Sequence, residues 1–305
     1  MSGENLRALV TGSRGFVGPY LLGELRQRGI EATELTPDSD ICDFEVISSE
    51  IESFVDLGGE MVVFHLAALS HVGTSWREPE RYLSINAGGT LNILRAIATR
   101  NVKLRFVYVS SSEVYGNHKE LDKVDEKVSP MPLSPYAASK LCGETFVLQY
   151  GRAYGLDAIV ARPFNHIGPN QSDNFLVAAI ARRLCQAKRD GGSSIPVGNL
   201  DAVRDFLDVR DVVRAYVDLA LKGEANSLYN ISSGRGVMVL DLINRMIDLL
   251  GVEIKLTTDP TLVRPVEVAR LVGDSSKLIR DLDFEAKFSL DETLLDVLSY
   301  WQDRL

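Results

Sequence analysis

Residues 6–18 read LRALVTGSRGFVG. The apolar run over 6–11 predicts a strand, and the leucines that recur with helical spacing after it predict a helix over 16–28. The turn between the two contains three glycines, Gly12, Gly15 and Gly18. Glycines there allow a tight turn and close packing of the helix against the strand. The stretch therefore predicts the first strand, turn and helix of an α/β fold.

The rest of the chain continues this alternation. Apolar runs recur, separated by segments with helical spacing, at residues 32–35, 61–66, 104–110, 158–161 and 228–231. Strands that alternate with helices are typical of a parallel sheet covered on both faces. We expect a Rossmann-type doubly wound parallel sheet from residues 1–165 and 207–232. A smaller α/β C-terminal substrate lobe is expected from residues 166–206 and 233–305.

Composition excludes some classes of partner. The chain has 305 residues and a formal net charge of −9, so its overall charge does not favour binding to nucleic acid or to an anionic membrane. Three cysteines without a CxxC pattern predict neither a disulfide framework nor a metal site, and they are Cys42, Cys142 and Cys185. The first residues do not read as a signal peptide, and we expect a cytoplasmic location.

The glycine turn is a candidate site for a dinucleotide, because helix N-termini bind phosphate and glycines let a pyrophosphate approach the backbone. The spacing GxxGxxG differs from the commoner GxGxxG, so a purely structural turn is the alternative. No carboxylate ends the second apolar run, although Asp38 and Asp40 lie slightly beyond it. Arg14 can pair with the 2′-phosphate of NADP, or it is simply solvated. We expect NADP (NADPH), with NAD possible.

A second candidate site is the sequence Tyr136-Ala137-Ala138-Ser139-Lys140. A spacing of four on a helix places Tyr136 and Lys140 on one face, where the ammonium favours phenolate and lowers the pKa of the phenol. Such a phenol serves as general acid or base for a carbinol near neutral pH. Ser134 and Pro135 form a good cap and first turn, which supports a helix that starts there.

A serine-rich turn over residues 110–113 follows the predicted strand at 104–110. Ligands bind at the carboxyl edge of parallel sheets, so a hydroxyl there can hydrogen-bond a substrate carbonyl oxygen. The alternative is a turn whose serines satisfy their own backbone. His65 and His166 lack a spaced partner, and we expect both to be hydrogen-bonded structural histidines.

Together these motifs resemble the extended short-chain dehydrogenase/reductase family. Their order is TGxxGxxG, His65-Leu66-Ala67-Ala68, Asn86-Ala87-Gly88-Gly89-Thr90, the serine turn and YxxxK. The resemblance covers essentially the whole chain and implies an NADP-dependent oxidoreductase. It implies that Ser111 is the catalytic hydroxyl, that Tyr136 transfers the proton, and that Lys140 binds the nicotinamide ribose and lowers the pKa of Tyr136.

The same resemblance implies a set of cofactor contacts. Asp43 and Phe44 match the adenine contact, and residues 66–68 match the wall along the cofactor. The full set of implied contacts is Gly12, Arg14, Gly15, Phe16, Val17, Gly18, Asp43, Phe44, Leu66, Ala67, Ala68, Tyr136, Lys140 and Pro163.

Later segments resemble family members that act on GDP-mannose and GDP-4-keto-6-deoxymannose. They are ARPFNHIGP at 161–169, GNLDAVRDF at 198–206 and RPVEV at 264–268. The substrate implied is a small-molecule nucleotide sugar, with contacts from Ser112, Glu113, Asn165, Asn174, Arg204, Arg264 and Glu267. A net-acidic protein needs local cations to bind a diphosphate. The alternative role of Arg204 and Arg264 is a surface or interlobe ion pair.

Different features of the sequence favour different reactions. The chain length, residues 161–169 and the short link between Gly251 and Arg264 resemble a reductase that forms GDP-rhamnose. Glu113 instead resembles the carboxylate that related 4,6-dehydratases use as a base at C5. We rank NADPH-dependent reduction of a C4 ketone first. The alternatives are a 4,6-dehydratase of the GDP-mannose type or a 4-epimerase with recycled NAD(P), and then a non-catalytic nucleotide-sensing regulator.

The predicted helices over 82–99 and 136–152 resemble the pair that forms a four-helix interface in this family. We therefore expect a homodimer, with neither nucleic acid nor a membrane as partner and with no metal.

Overall fold

A computed structural model describes residues 6–37, 39–100, 102–118, 120–262, 266 and 268–305. In chain order the strands are β1 Leu6–Thr11, β2 Glu31–Glu34, β3 Glu60–His65, β4 Arg105–Val109, β5 Asp157–Pro163, β6 Asn165–Ile167, β7 Ser194–Val197, β8 Val203–Asp208, β9 Ser227–Ile231, β10 Gly236–Met238, β11 Lys255–Thr258 and β12 Arg270–Leu271.

The helices are α1 Gly18–Gln27, α2 Phe44–Val55, α3 Val72–Ser75, α4 Pro79–Tyr82, α5 Thr90–Arg100, α6 Pro135–Tyr154, α7 Leu176–Asp190, α8 Val209–Lys222, α9 Val239–Leu250, α10 Ser276–Leu282 and α11 Leu290–Gln302. A π-helix spans Leu83–Gly89, and two short 3-10 helices span Ser112–Tyr115 and Pro260–Leu262. None of the helices in the described ranges is both long enough and apolar enough to cross a membrane.

Six strands form the main sheet in the order β2-β1-β3-β4-β5-β9, and every neighbouring pair is parallel. The register places Thr11 of β1 beside His65 of β3, and His65 beside Tyr108 of β4. All six strands therefore end at one edge. The strand order reverses between β1 and β3, which opens a crevice for a ligand at that edge. The predicted Rossmann-type sheet is confirmed.

The main sheet has a hydrophobic core on each face. Alternate residues of β3 enter opposite cores, because successive side chains of a strand point to opposite faces. Val62 and Phe64 pack with α1 and α8, whereas Met61 and Val63 pack with α2, α5 and α6. Burial on both faces explains why the strands read as nearly continuous apolar runs.

The smaller part of the molecule has its own core. Its strands β6, β8, β10 and β12 form one sheet, and β7 pairs with β11. Helices α7, α9 and α11 bury Leu184, Met246 and Leu294 against these strands. We propose that this part is the substrate lobe and that the main sheet belongs to the dinucleotide domain, with the boundaries expected above.

Helix α10 packs on the main sheet, although it lies within the 233–305 segment expected in the smaller lobe. Leu278, Leu282 and Phe284 join the core that contains Tyr229 and Ile231 of β9. The hydroxyl of Tyr229 also donates to the Asp281 carboxylate at 3.1 Å. The apolar face of α10 therefore covers the outer edge of the main sheet, so the chain returns there between α9 and α11 of the smaller lobe.

In the helix expected over 82–99, Tyr82 ends α4, a π-helix follows over Leu83–Gly89, and regular α-helix resumes at Thr90. Asn86 explains part of this irregular segment, because its side chain bonds the backbone N and O of Leu69 at 2.8 and 3.0 Å. Gly89 explains another part, because a Cβ there would lie 2.5 Å from Cδ1 of Ile41. Tight packing against neighbouring loops thus overrides regular helical geometry.

Candidate active site

The glycine turn lies at the carboxyl end of β1, beside the segment that follows β3. Gly12 has a φ of +70°, which glycine adopts at little cost, and a Cβ there would lie 2.6 Å from the backbone nitrogen of Ala67. A Cβ on Gly18 would overlap the carbonyl oxygen of Ser13. Backbone atoms therefore exclude larger residues at both positions.

Helix α1 begins at this turn with its N-terminus open. The side chain of the N-cap residue, Val17, makes no hydrogen bond to the first turn. First-turn N–H groups other than that of Pro19, which has none, therefore face the edge of the sheet, where an anion is favoured. Arg14 and Gly15 lie exposed in the turn. Its shape and donors fit a dinucleotide pyrophosphate.

Three predicted cofactor residues, Leu66, Ala67 and Ala68, follow β3 directly and are half-buried. The backbone N–H of Leu66 donates to the carbonyl oxygen of Thr11, and that of Ala67 donates to Oγ1 of Thr11, both at 3.2 Å. The wall at residues 66–68 is thereby fixed to the start of the glycine turn. Pro163, a further predicted contact, ends β5 at the same edge.

Asp43 and Phe44, the predicted adenine contact, lie at the start of α2. Oδ1 of Asp43 accepts from the backbone N–H groups of Glu45 and Val46 at 3.0 and 3.3 Å. The Arg95 guanidinium lies 4.1 Å from the centre of the Phe44 ring. Asp43 therefore caps a helix, a structural role that sequence spacing did not suggest.

Tyr136 lies in the first turn of α6, which Ser134 caps by accepting from the N–H of Ala137 at 3.1 Å. The predicted cap is confirmed. Burial raises the pKa of the Tyr136 phenol to about 12, a hydrogen bond with Ser111 lowers it, and the charge of Glu113 raises it. Ser111 therefore lies within hydrogen-bonding distance of the phenol.

Lys140 lies one turn further along α6 and is only 3% exposed. Burial lowers the pKa of its ammonium to about 7, and the charge of Glu144 opposes that shift. Its Nζ lies 4.5 Å from the centre of the Tyr108 ring. The expected lowering of the Tyr136 pKa by Lys140 is wrong for this structure. Burial is the largest influence, the charge of Glu113 raises the pKa further, and Ser111 is the group that lowers it.

His65 is a fully bonded core residue at the end of β3. Its Nδ1 lies 2.7 Å from Oγ1 of Thr11, and its Nε2 lies 2.9 Å from Oγ1 of Thr90. Burial, and then the charge of Lys140, lower the pKa of the imidazole to about 3. The prediction of a structural histidine is confirmed.

We expect acid to destabilise the fold through His65. A pKa of about 3 in the folded state against 6.5 when unfolded means that stability present above pH 6.5 is lost as the pH falls toward 3. By pH 5 the loss is about 2 kcal/mol, since one pKa unit corresponds to about 1.4 kcal/mol. Urea unfolding at pH 8 and pH 5 measures this loss of unfolding free energy. The His65→Asn variant should lose less unfolding free energy between pH 8 and pH 5 than the wild type. Equal losses in both proteins would contradict this assignment.

The predicted substrate residues are spread over three elements. Ser112 and Glu113 lie in the 3-10 helix after β4, and Oγ of Ser111 accepts from the N–H of Glu113 at 3.2 Å. Asn165 in β6 donates through Nδ2 to the carbonyl oxygen of Asp205 at 3.2 Å.

Arg204, in β8 next to β6, is 7% exposed, and its Nη1 donates to the carbonyl oxygen of Val203 at 3.0 Å. Asn174 is exposed in the loop before α7. Arg264 and Glu267 lie outside the described residues, so their roles stay predictions.

His166 connects the two parts of the molecule. Its ring stacks on Phe16 of the glycine turn, with centroids 6.1 Å apart and an interplanar angle of 2°. Its Nδ1 lies 3.1 Å from the carbonyl oxygen of Phe164, as expected for a hydrogen-bonded histidine, and burial lowers its pKa. Phe16, predicted as a cofactor contact, therefore also packs against β6.

A family model described as GDP-mannose 4,6 dehydratase matches residues 9–297. The chain belongs to this family. The predicted extended short-chain dehydrogenase/reductase membership is thereby confirmed.

Two curated relatives and one solved structure are similar over nearly the whole chain. GDP-6-deoxy-D-mannose reductase of Pseudomonas aeruginosa is 37% identical over 98% of each chain. GDP-6-deoxy-D-talose 4-dehydrogenase of Aggregatibacter actinomycetemcomitans is 30% identical over 95% of this chain and 96% of the relative. The structure of RMD from Pseudomonas aeruginosa complexed with NADPH has a TM-score of 0.89 at 35% identity, covering 98% of this chain and 99% of that one.

Sequence reasoning missed three residues next to the family's Tyr-Lys pair. The ring of Tyr82 meets that of Tyr136 edge-on at 6.4 Å and 87°. Glu144 lies one turn beyond Lys140 and pairs with Arg162 of β5 through N–O distances of 2.9 and 2.6 Å. The spacing of four between Lys140 and Glu144 could have indicated that they share a helix face. The pairing of Glu144 with Arg162 could not be predicted, because it depends on how α6 packs on β5.

Proposed function

We propose that the protein catalyses NADPH-dependent reduction of the C4 ketone of a nucleotide 4-keto-6-deoxyhexose, specifically GDP-4-keto-6-deoxymannose to GDP-rhamnose. The observation that carries the proposal is the grouping of Ser111 and Tyr136 at the carboxyl edge of the sheet that also holds the glycine turn. Similarity to a reductase of GDP sugars over 98% of each chain supports the substrate class.

The glycine turn fits the cofactor, since the backbone at Gly12 and Gly18 leaves no room for a Cβ and the N-terminus of α1 faces the same edge. Bound there, NADPH would supply the hydride that reduces C4. Tyr136 is the general acid, because a phenol with a pKa of about 12 is protonated at neutral pH and can donate to the developing alkoxide. Ser111 donates a hydrogen bond to the same oxygen.

The substrate lobe is the proposed site of the sugar nucleotide. We propose that Arg204 and Arg264 bind the diphosphate, that Asn165 and Asn174 also contact the sugar nucleotide, and that Glu267 binds the guanosine ribose. Local arginines are needed because the chain has a net charge of −9 and would otherwise repel a diphosphate.

Two parallel assays test the reaction. One contains protein and GDP-mannose without reductant, and the other contains protein, GDP-4-keto-6-deoxymannose and NADPH. Loss of NADPH absorbance in the second assay alone supports the reductase, whereas formation of a ketone in the first would overturn it in favour of the dehydratase. NMR of the product then gives the configuration at C4, which distinguishes a 6-deoxymannose product from a 6-deoxytalose.

A 4,6-dehydratase is the second candidate, and the position of Glu113 favours it. Its negative charge contributes to the raised pKa of Tyr136, so a carboxylate that could serve as a base belongs to the same site. A dehydratase first removes the C4 hydroxyl proton and needs phenolate, whereas the raised pKa of Tyr136 keeps the phenol protonated.

The variant Glu113→Gln separates the two reactions. If reduction is the activity, kcat should fall less than about tenfold, because the amide keeps the shape and only a hydrogen-bonding group is altered. Loss of a general base would cost about a hundredfold or more. A loss of that size would contradict reduction as the main activity.

We propose a homodimer built on α5 and α6, and light scattering after size-exclusion chromatography measures its mass. Two exposed apolar residues support it: Leu83, in the π-helix that precedes α5, is 52% exposed, and Tyr154, at the end of α6, is 65% exposed. A monomer at micromolar concentration would contradict the dimer.

We also propose a cytoplasmic location, which the three free thiols support. Fractionation of cells tests this location.

A further inference from the structure

A buried charge cluster consists of Lys140 and Glu144, one and two turns beyond Tyr136 on α6, and Arg162 of β5. Lys140 and Glu144 are on one face of α6, and their exposures are 3% and 1%. Arg162, at 3% exposure, donates through Nε and Nη2 to the two carboxylate oxygens of Glu144. The hydroxyl of Ser110 also donates to Glu144.

The cluster holds two cations and one carboxylate in a region almost closed to solvent. Such an arrangement is costly unless the charges compensate one another, because desolvation penalises each ion. The side-chain ammonium of Lys140 faces His65 of β3, Tyr108 of β4 and Glu144 of its own helix. The imidazole of His65 is neutral near pH 7, so Glu144 is the anion that acts on the ammonium.

Arg162 competes for the same carboxylate. Its guanidinium forms the bidentate pair with Glu144 and lies 4.6 Å from the centre of the Tyr115 ring. Tyr115 in turn donates to Oδ1 of Asn230 at 2.6 Å, which fixes that ring in place. Arg162 therefore orients the carboxylate of Glu144. Its positive charge also partly offsets the electrostatic effect of that carboxylate on Lys140.

We propose that Glu144 is a positioning residue for the reduction, which holds the ammonium of Lys140 charged in its buried site while Arg162 limits how strongly it does so. The inference rests on the proposed function, in which Lys140 binds the nicotinamide ribose. Burial lowers the pKa of Lys140 to about 7 even though the charge of Glu144 opposes that shift, so without Glu144 the pKa would be lower still and the amine would be mostly neutral at neutral pH.

The proposal predicts shifts of opposite sign in two variants. Glu144→Gln removes the anion and leaves Lys140 beside an unpaired guanidinium, so the pH at which activity falls as Lys140 loses its proton should decrease. Arg162→Gln leaves the whole charge of Glu144 to Lys140, so that pH should increase. Each shift should be about one unit, the size a neighbouring charge produces. A purely structural ion pair would lower thermal stability in both variants and shift neither profile.

The experiment records kcat/KM and the NADPH dissociation constant between about pH 5 and pH 9. The double variant Glu144→Gln/Arg162→Gln removes both charges together, so it avoids an unpaired buried arginine if the single variant fails to fold. Glu144→Asp should recover part of the wild-type profile. The matched control is Arg105→Gln. This variant breaks the ion pair with Asp157 at the amino ends of β4 and β5, away from the carboxyl ends where the site lies.

Opposite shifts in the single variants, with the Arg105 control unshifted, are the expected result. An unmoved pH profile in Arg162→Gln, and in Glu144→Gln where that variant folds, together with lower melting temperatures, would overturn the role of Glu144. If the wild type binds NADPH and reduces no 4-keto sugar, the proposed function fails. The pH profile of NADPH affinity then decides the role of Glu144 by itself.

Discussion

Replacement of Tyr136 by Phe should lower kcat by a factor of about a hundred or more, the contribution expected of a general acid. The ring is 8% exposed and meets Tyr82 edge-on, so phenylalanine keeps the packing and removes only the hydroxyl. Affinity for NADPH should stay within about twofold of the wild type, because the lost interaction is with the reacting oxygen. Stopped-flow turnover and fluorescence titration of NADPH measure the two quantities.

Tyr82→Phe is the matched control. It removes a hydroxyl of the same type that donates to the carbonyl oxygen of His71 at 2.7 Å. The expected cost is about 1 kcal/mol of stability with little change in kcat. Turnover by the Tyr136 variant at the wild-type rate would refute the assignment of Tyr136 as the acid.

Gly12→Ala should weaken NADPH binding at least tenfold, the equivalent of about 1.4 kcal/mol. A Cβ at this position, with a φ of +70° and only 2.6 Å from the nitrogen of Ala67, forces the glycine turn away from the segment that follows β3. The positive φ adds about 1–2 kcal/mol of strain for alanine, so the melting temperature should also fall. Calorimetric titration with NADPH and thermal unfolding measure the two effects.

Gly23→Ala is the control on the same strand-turn-helix unit. Gly23 lies within α1, and a Cβ there would meet nothing within 4 Å. Alanine is the better helix former by about 1 kcal/mol, so this variant should bind NADPH normally and be as stable as the wild type or more so. Normal NADPH affinity in the Gly12 variant would mean that the cofactor does not use this turn.

Local patterns predicted the parts of the site that depend on one segment. The glycine turn, the cap at Ser134 and the shared face of Tyr136 and Lys140 each depend on residues that are only a few positions apart in the sequence. The irregular start of α5 was not predictable, because it depends on Leu69 and Ile41, which lie far away in sequence.

The ionisation of the site was the other part that sequence could not give. Spacing predicted a lowered pKa for Tyr136, but burial raises it, and burial depends on how the helices pack. The pairing of Glu144 with Arg162 likewise joins α6 to β5 across the fold. A helical spacing identifies which side chains can meet, but the balance of charge and desolvation requires the whole structure.

The return of α10 to the main sheet has a consequence for synthesis on the ribosome. A nascent chain that has reached residue 275 contains all six strands of the main sheet but lacks Leu278, Leu282 and Phe284, which cover its outer edge. Domains generally fold as units during translation, from the N-terminal end. Here the main sheet is begun first, but its outer edge is covered only after α7 and α9 of the smaller lobe have been synthesised, and α11 of that lobe follows later still.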